Sequence, residues 1–253
     1  MKSRGFQARL PSGQGTGARW TTVTAVRCLC GCVVSLIAIL AMIVIVSVLF
    51  PRLPYLVRTP LGSVALQLSA YAVVFAVVLY FARTGRVTDF RANFGLSRPP
   101  TAGSLLATSL GLGLAIAAVY LASLDTVIYR KKLSVIFSEA APVERIYLVA
   151  LMVPIGPLIE ELILRGFFYR AFRGSFGVTA SIGSVLLIHT LAHWSTVSKM
   201  WSVLLATGIL NIALCLMRER TGNLWHCIAC HVAYNAMLSD LGRPVLARIF
   251  PNL

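Results

Sequence analysis

Seven apolar runs, each close to the length that crosses a bilayer, constrain the fold of this chain more than any other feature. A transmembrane helix needs about 20 mainly apolar residues. Only 12% of the residues are charged, whereas a soluble domain has about 25%. We therefore predict an all-α, polytopic transmembrane helical bundle of about seven spans, with six or eight also compatible. The runs are 28–50, 61–82, 101–124, 146–168, 178–194, 201–217 and 224–241.

The basic residues indicate the orientation of the bundle in the membrane. A net charge of +15 would suit nucleic-acid binding, but most Lys and Arg residues lie at the ends of apolar runs rather than in one patch, so we predict no nucleic-acid partner. The basic flanks before the first run and after the second place the amino terminus in the cytoplasm, because cytoplasmic loops are enriched in Lys and Arg. A strict seven-span arrangement conflicts with this rule at one place. It would put four basic residues on the outer side of the membrane, namely Arg130, Lys131, Lys132 and Arg145.

The chain is predicted to form one membrane domain after a terminal tail. Residues 1–27 are rich in Gly, Ser, Thr and Arg, which is typical of a disordered basic tail on the cytoplasmic side. Residues 28–100 are predicted to be accessory transmembrane helices and a linker. Every residue with obvious chemical capacity in an apolar run comes later, so the functional core is predicted at 101–253.

Adjacent carboxylates, Glu160 and Glu161, lie inside the fourth apolar run. Ionisable residues in a transmembrane segment are costly and by default mark a functional site. Arg165 follows Glu161 by four residues, the favourable spacing for an ion pair on one helical face, so we predict that this pair is structural. Glu160 is rotated by about 100° from Glu161, and this leaves it free to act as a general base or acid.

Polar residues with the same spacing occur in later runs. His189 and His193 are four residues apart, as are His231 and Asn235. A helical bundle can bring both pairs to Glu160 around one pocket. There Glu160 and His193 would activate water, while His231 and Asn235 would donate hydrogen bonds to an oxyanion. The alternative is that each pair only hydrogen-bonds neighbouring helices together.

The helix that carries the glutamates has further constraints. Bringing Glu160 close to His193 requires either that this helix be long and continue past Arg165 toward Phe172, or that the segment near His193 be sunk in the membrane or re-entrant. We predict the long helix. Pro154 and Pro157 precede the glutamates and interrupt the backbone hydrogen bonds there. The resulting kink either admits water or serves packing.

Other sequence patterns are weak or missing. Residues 227–231 fit the Cys-x-x-Cys-His pattern of covalent haem attachment, but they lie in a predicted span, whereas that attachment takes place in a water-exposed compartment. We therefore interpret the cysteines as small apolar filler and His226 as structural. The chain has neither the Gly-x-Ser-x-Gly nucleophile motif nor the His-Glu-x-x-His zinc motif.

The order of these motifs resembles that of the CAAX protease and bacteriocin-processing family. Its members are intramembrane glutamate endopeptidases, and some bacterial ones are described as abortive-infection or immunity proteins. The resemblance covers roughly residues 93–240. It is carried by Glu160-Glu161-x-x-x-Arg165-Gly166, by an apolar span that ends at His193, and by Thr221-Gly222-Asn223-Leu224-Trp225 followed by His231-x-x-x-Asn235.

The resemblance implies roles for individual residues. Glu160 and His193 would activate water, and His231 and Asn235 would form the oxyanion hole. It implies neither a metal nor another cofactor.

The supporting residues also match, with one departure. Glu161 and Arg165 correspond to the second glutamate and the arginine of the family motif. Family members usually have an aromatic residue where this chain has His189, so a role for His189 in packing, in assistance or in substrate choice is left open.

The implied function is hydrolysis of a peptide bond in a membrane-associated peptide or lipid-anchored protein. Because Arg greatly outnumbers Lys, we favour a peptide substrate in a bacterial plasma membrane. One alternative is a non-catalytic membrane scaffold or immunity protein of the same fold. Another is a zinc-dependent membrane protease that uses Glu160, His193 and His231. The identity of the substrate, its prenylation and the oligomeric state are left open.

Overall fold

A computed structural model describes residues 20–50, 52, 55, 59–84, 89–97, 99, 101–121, 141–194, 198 and 201–239. Within these residues the chain forms eight helices and no strand, which confirms the predicted all-α class. The helices are α1 (Thr22–Leu49), α2 (Pro60–Thr84), α3 (Phe90–Phe94), α4 (Ala102–Leu105, Leu106–Leu110 and Gly111–Leu121), α5 (Pro142–Arg173), α6 (Val178–Ala192), α7 (Trp201–Thr221) and α8 (Leu224–Leu238).

Within the described residues, each of the seven predicted runs coincides with a helix, but the helices differ in length. In the described part of the chain, α1, α2 and α5 are long and apolar enough to cross a membrane by themselves. α6 and α8 have 15 residues each, and at about 1.5 Å per residue they are shorter than the roughly 30 Å hydrocarbon core. These apolar helices make the protein an integral membrane protein.

α1 begins earlier than the sequence predicted. It starts at Thr22, where the hydroxyl of Thr21 accepts a backbone N–H of the first turn. Trp20 is buried, and its indole N–H donates to the carbonyl of Ala82 in α2 at 3.0 Å. The cap and the buried indole correct the predicted tail boundary, because the last residues of the predicted tail belong to the helix. Residues 1–19 of that tail lie outside the described residues.

α5 is the predicted long helix, with 32 residues from Pro142 to Arg173. Its glutamates lie at the end of the α-helical turn Gly156–Glu161. π-Helical segments, Leu151–Ile155 and Leu162–Phe168, flank this turn. Such segments are rare and occur frequently at functional sites.

A proline in α5 frees a carbonyl for a contact with α8. In the π-helical pattern the N–H of residue 157 would donate to the carbonyl of Met152, but Pro157 has no N–H. The side-chain amide of Asn235 donates to this carbonyl at 2.8 Å instead. The interruption that the sequence predicted therefore joins the glutamate helix to α8.

α8 packs against α4, α5 and α7. Gly113 of α4 allows the close approach, because a Cβ there would collide with the carbonyl oxygen of Cys230. His226 lies on the same side, with its Nδ1 2.9 Å from the hydroxyl of Ser109. This contact is consistent with the structural interpretation of His226.

Candidate functional site

Glu160 is the centre of a polar cluster built by α2, α5, α6 and α8. The Nε2 atoms of His189, His193 and His231 each lie 3.9 Å from a carboxylate oxygen of Glu160. Tyr71 of α2 donates its hydroxyl hydrogen to Glu160 Oε1 at 2.5 Å. The structure thus brings Glu160 together with the three histidines that were candidates from the sequence.

A cavity of about 410 Å³ opens beside this cluster. Small-molecule pockets commonly measure about 300–1,000 Å³, so the cavity can hold water and part of a substrate. The side chain of His193 is 40% exposed, compared with 15% for Glu160, so the cluster is more open on the His193 side. The polar lining consists of Glu160, His189, His193, His231, Asn235, Thr207, Tyr234, Ser63, Gln67 and Tyr71.

The predicted ion pair between Glu161 and Arg165 is present and completely buried. Arg165 Nη1 donates to Glu161 Oε1 at 2.7 Å, and both side chains are 0% exposed. The same carboxylate oxygen lies 2.9 Å from His231 Nδ1. Glu161 thereby connects the arginine to a histidine that faces Glu160.

Asn211 of α7 connects the same arginine to His189. Arg165 Nη2 donates to Asn211 Oδ1 at 2.5 Å, and Asn211 Nδ2 lies 2.7 Å from His189 Nδ1. Asn211 is only 1% exposed. A buried amide is costly unless it is hydrogen-bonded, so this residue is part of the support of the site.

Asn235 lies at the edge of the site. It lines the cavity, and one hydrogen of its carboxamide is committed to the carbonyl of Met152. A carboxamide nitrogen carries two hydrogens. The second one is available to a bound molecule.

Tyr71 and Asn211 were not predicted from the sequence as site residues. Tyr71 belongs to α2, which was predicted to be accessory, yet Ser63, Gln67 and Tyr71 follow one another at four-residue spacing and all line the cavity. That polar stripe in an apolar run was a usable signal. The sequence signal for Asn211 was weaker, because it consists of a single amide side chain within an apolar helix.

Three of the cluster residues have a geometry that could hold a metal ion. Ligand atoms of Glu160, His189 and His193 lie within 4.8 Å of one another. A histidine that binds a metal normally donates its other ring N–H to an acceptor. His193 does so, with Nδ1 3.2 Å from the carbonyl of His189, but His189 Nδ1 faces the amide donor of Asn211. His189 therefore fits poorly as a metal ligand.

The set named in the zinc alternative has more suitable donors. His231 Nδ1 faces the carboxylate of Glu161, the kind of support that zinc-binding histidines usually have. His193 and His231 can therefore both offer a bare Nε2 near Glu160. The same two atoms are equally suited to accept hydrogen bonds from water.

The comparison with protein families agrees with the sequence motifs. Residues 142–237 match the family model described as Type II CAAX prenyl endopeptidase Rce1-like. The match begins with α5 and ends within α8, so it includes Glu160 and the three histidines around it but not Tyr71. Searches of curated proteins and of solved structures gave no match. Over residues 142–237 this chain is therefore similar to the Rce1-like type II CAAX prenyl endopeptidases.

Proposed function

We propose that the protein is an intramembrane endopeptidase in which Glu160 and His193 activate a water molecule for attack on a peptide carbonyl. The observation that carries the proposal is the position of the Glu160 carboxylate, 3.9 Å from His193 Nε2 and beside a cavity. The match to a family of CAAX proteases supports this chemistry.

The hydrogen bonds of His193 support its role. Its Nδ1 can only donate to the carbonyl of His189, so Nε2 of the neutral ring carries a lone pair. A water between this atom and Glu160 can donate one hydrogen to each of them. Glu160 would take a proton from this water as its oxygen attacks, and would return it to the departing amine.

His231 and Asn235 are proposed to stabilise the oxyanion of the tetrahedral intermediate. Asn235 supplies the carboxamide hydrogen that Met152 does not use. His231 Nδ1 is engaged with Glu161, so its Nε2 donates when both ring nitrogens are protonated. Donors that are already in place when the negative charge develops supply much of the rate enhancement in acyl transfer.

The substrate is proposed to be a membrane-associated peptide or a lipid-anchored protein. A site inside a helical bundle with apolar outer faces receives its substrate from the bilayer. The basic residues before α1 support a cytoplasmic amino terminus. The Arg-rich composition supports a bacterial plasma membrane.

The first test incubates the purified full-length protein in nanodiscs with a library of membrane-anchored peptides, with and without a strong chelator, in water enriched in ¹⁸O. We expect mass spectrometry to show cleavage that survives chelation, with ¹⁸O in the new carboxyl group. Water is the attacking group in the proposed reaction, and no metal is required.

The other outcomes point to the alternatives. Cleavage that disappears with chelator and returns with Zn²⁺ would favour a zinc protease that uses Glu160, His193 and His231. The observation that favours this candidate is that the Nε2 atoms of His193 and His231 each lie 3.9 Å from a carboxylate oxygen of Glu160. Folded protein that cleaves nothing would favour the scaffold or immunity alternative.

Tyr71→Phe is expected to lower kcat about 10-fold and to leave KM almost unchanged. A hydrogen bond to a charged group is worth about 1.5–3 kcal/mol, and its loss releases Glu160 Oε1 from the orientation that the 2.5 Å contact maintains. Steady-state cleavage rates measure the effect. The matched control is Tyr80→Phe on the same helix, because Tyr80 is 64% exposed and should not affect the rate. Equal rates for both variants would contradict a functional role for Tyr71.

A further inference from the structure

A neutral histidine carries its proton on one of its two ring nitrogens. In the histidines around Glu160, the partner of Nδ1, the nitrogen that faces away from Glu160, determines which one. His193 Nδ1 lies 3.2 Å from the carbonyl oxygen of His189, which can only accept. His231 Nδ1 lies 2.9 Å from Glu161 Oε1, a carboxylate oxygen that also accepts from Arg165. Both Nδ1 atoms therefore donate, and both neutral rings present a bare Nε2 to Glu160.

His189 has the opposite arrangement. Arg165 has no acceptor atom, so its contact with Asn211 Oδ1 at 2.5 Å establishes which end of the amide is oxygen. The nitrogen of that amide then donates to the carbonyl of Thr207 at 2.9 Å and to His189 Nδ1 at 2.7 Å. His189 Nδ1 must accept, so the proton of the neutral ring is on Nε2, which lies 3.9 Å from Glu160 Oε2.

We infer that His189 is the neutral hydrogen-bond donor of the reaction centre, and that Asn211 is a positioning residue that holds its ring in the Nε2–H form. The inference rests on the proposed function. As water attacks, Glu160 takes a proton and the carbonyl oxygen of the substrate becomes negative. His189 donates a hydrogen bond to that oxygen beside Asn235 and keeps its own proton throughout, so the proton balance of the reaction does not change.

The burial of these hydrogen bonds indicates that the contact between Asn211 and His189 is a fixed part of the structure and not an incidental one. His189 is 5% exposed and Asn211 is 1% exposed, and every polar atom of the amide has a partner. A phenylalanine ring at this position could neither accept from Asn211 nor donate toward Glu160.

The test compares His189→Phe with His189→Gln on a peptide that the wild-type protein cleaves. Phenylalanine fills the space without a donor, whereas the glutamine amide places an N–H near the position of Nε2. We expect His189→Phe to lower kcat about 10²–10³-fold, as the loss of one oxyanion donor does elsewhere. We expect His189→Gln to retain activity to within about 10-fold of wild type, with KM similar in both.

A wild-type rate for His189→Phe would overturn the inference and leave the proposed function intact. Equal losses in the phenylalanine and glutamine variants would also overturn it, because the donor would then not be what matters. A wild-type protein that cleaves nothing would overturn the proposed function instead. In that event the proton position is tested directly.

The direct test is ¹⁵N NMR of full-length protein labelled at histidine, since the chain has only four histidines. The His189 signals are identified by their loss in His189→Gln. We expect wild-type His189 to be protonated at Nε2 and bare at Nδ1. In Asn211→Asp, which can still pair with Arg165, a carboxylate faces Nδ1, so the proton should move to Nδ1. Wild-type protonation at Nδ1 alone would contradict the inference regardless of activity.

Discussion

Glu160→Gln is expected to lower kcat by about 10³-fold, within the range of a lost general base. Glutamine preserves the size of the side chain and can still accept the hydrogen bond of Tyr71, but it cannot take a proton from water. The fold should be unaffected, because the buried charge pair of α5 involves Glu161 and not Glu160. Cleavage kinetics on the peptide identified by the library measure the loss, and the melting temperature verifies the fold.

The control for this variant is Glu144→Gln on the same helix. Glu144 accepts a backbone N–H from Ala141 at the start of α5 and lies outside the cavity lining. The Glu144→Gln variant should therefore cleave at nearly the wild-type rate. If Glu160→Gln were as active as Glu144→Gln, the glutamate would not be the base, and the proposed reaction would be wrong.

Arg165→Met is expected to lower the free energy of unfolding by about 3–5 kcal/mol. The substitution leaves the carboxylate of Glu161 buried without its cation, and an uncompensated buried charge is strongly destabilising. It also removes the group that orients Asn211. Unfolding by denaturant in detergent micelles measures the change.

The matched control removes an arginine from a partly exposed ion pair on the same helix. Arg173 pairs with Glu219 at 3.1 Å and is 33% exposed, so Arg173→Met should cost only about 0–1 kcal/mol. Adding Glu161→Leu to Arg165→Met should recover much of the stability, because the unpaired charge is then gone. Equal destabilisation by the two single arginine variants would contradict the assigned importance of the buried pair.

Local periodicity explains why much of this site could be predicted from the sequence. Glu161 and Arg165 pair because four residues make about one helical turn, and the same rotation directs the adjacent Glu160 elsewhere. The helical spacing also places His189 and His193 together, and the centroids of their rings lie 4.4 Å apart. The repeated four-residue spacing also predicted that a bundle brings these residues together with His231, and the resemblance to the family agreed with that prediction.

The boundaries and span lengths were less predictable. The apolar run predicted α1 from residue 28, but a cap at Thr21 and the burial of Trp20 start it at Thr22. Both effects depend on particular contacts, and the indole bonds to a carbonyl 62 residues away. Hydropathy alone does not detect such contacts.

The class of fold, the pairing of Glu161 with Arg165 and the set of polar residues available for chemistry could be predicted from the sequence, because they follow from apolar length and helical spacing within one segment. The contact of Tyr71 with Glu160, 89 residues apart, and that of Asn211 with His189, 22 residues apart, depend on how the helices pack. The position of a histidine proton depends on which donor or acceptor a neighbouring helix presents. That choice arises only when the helices pack.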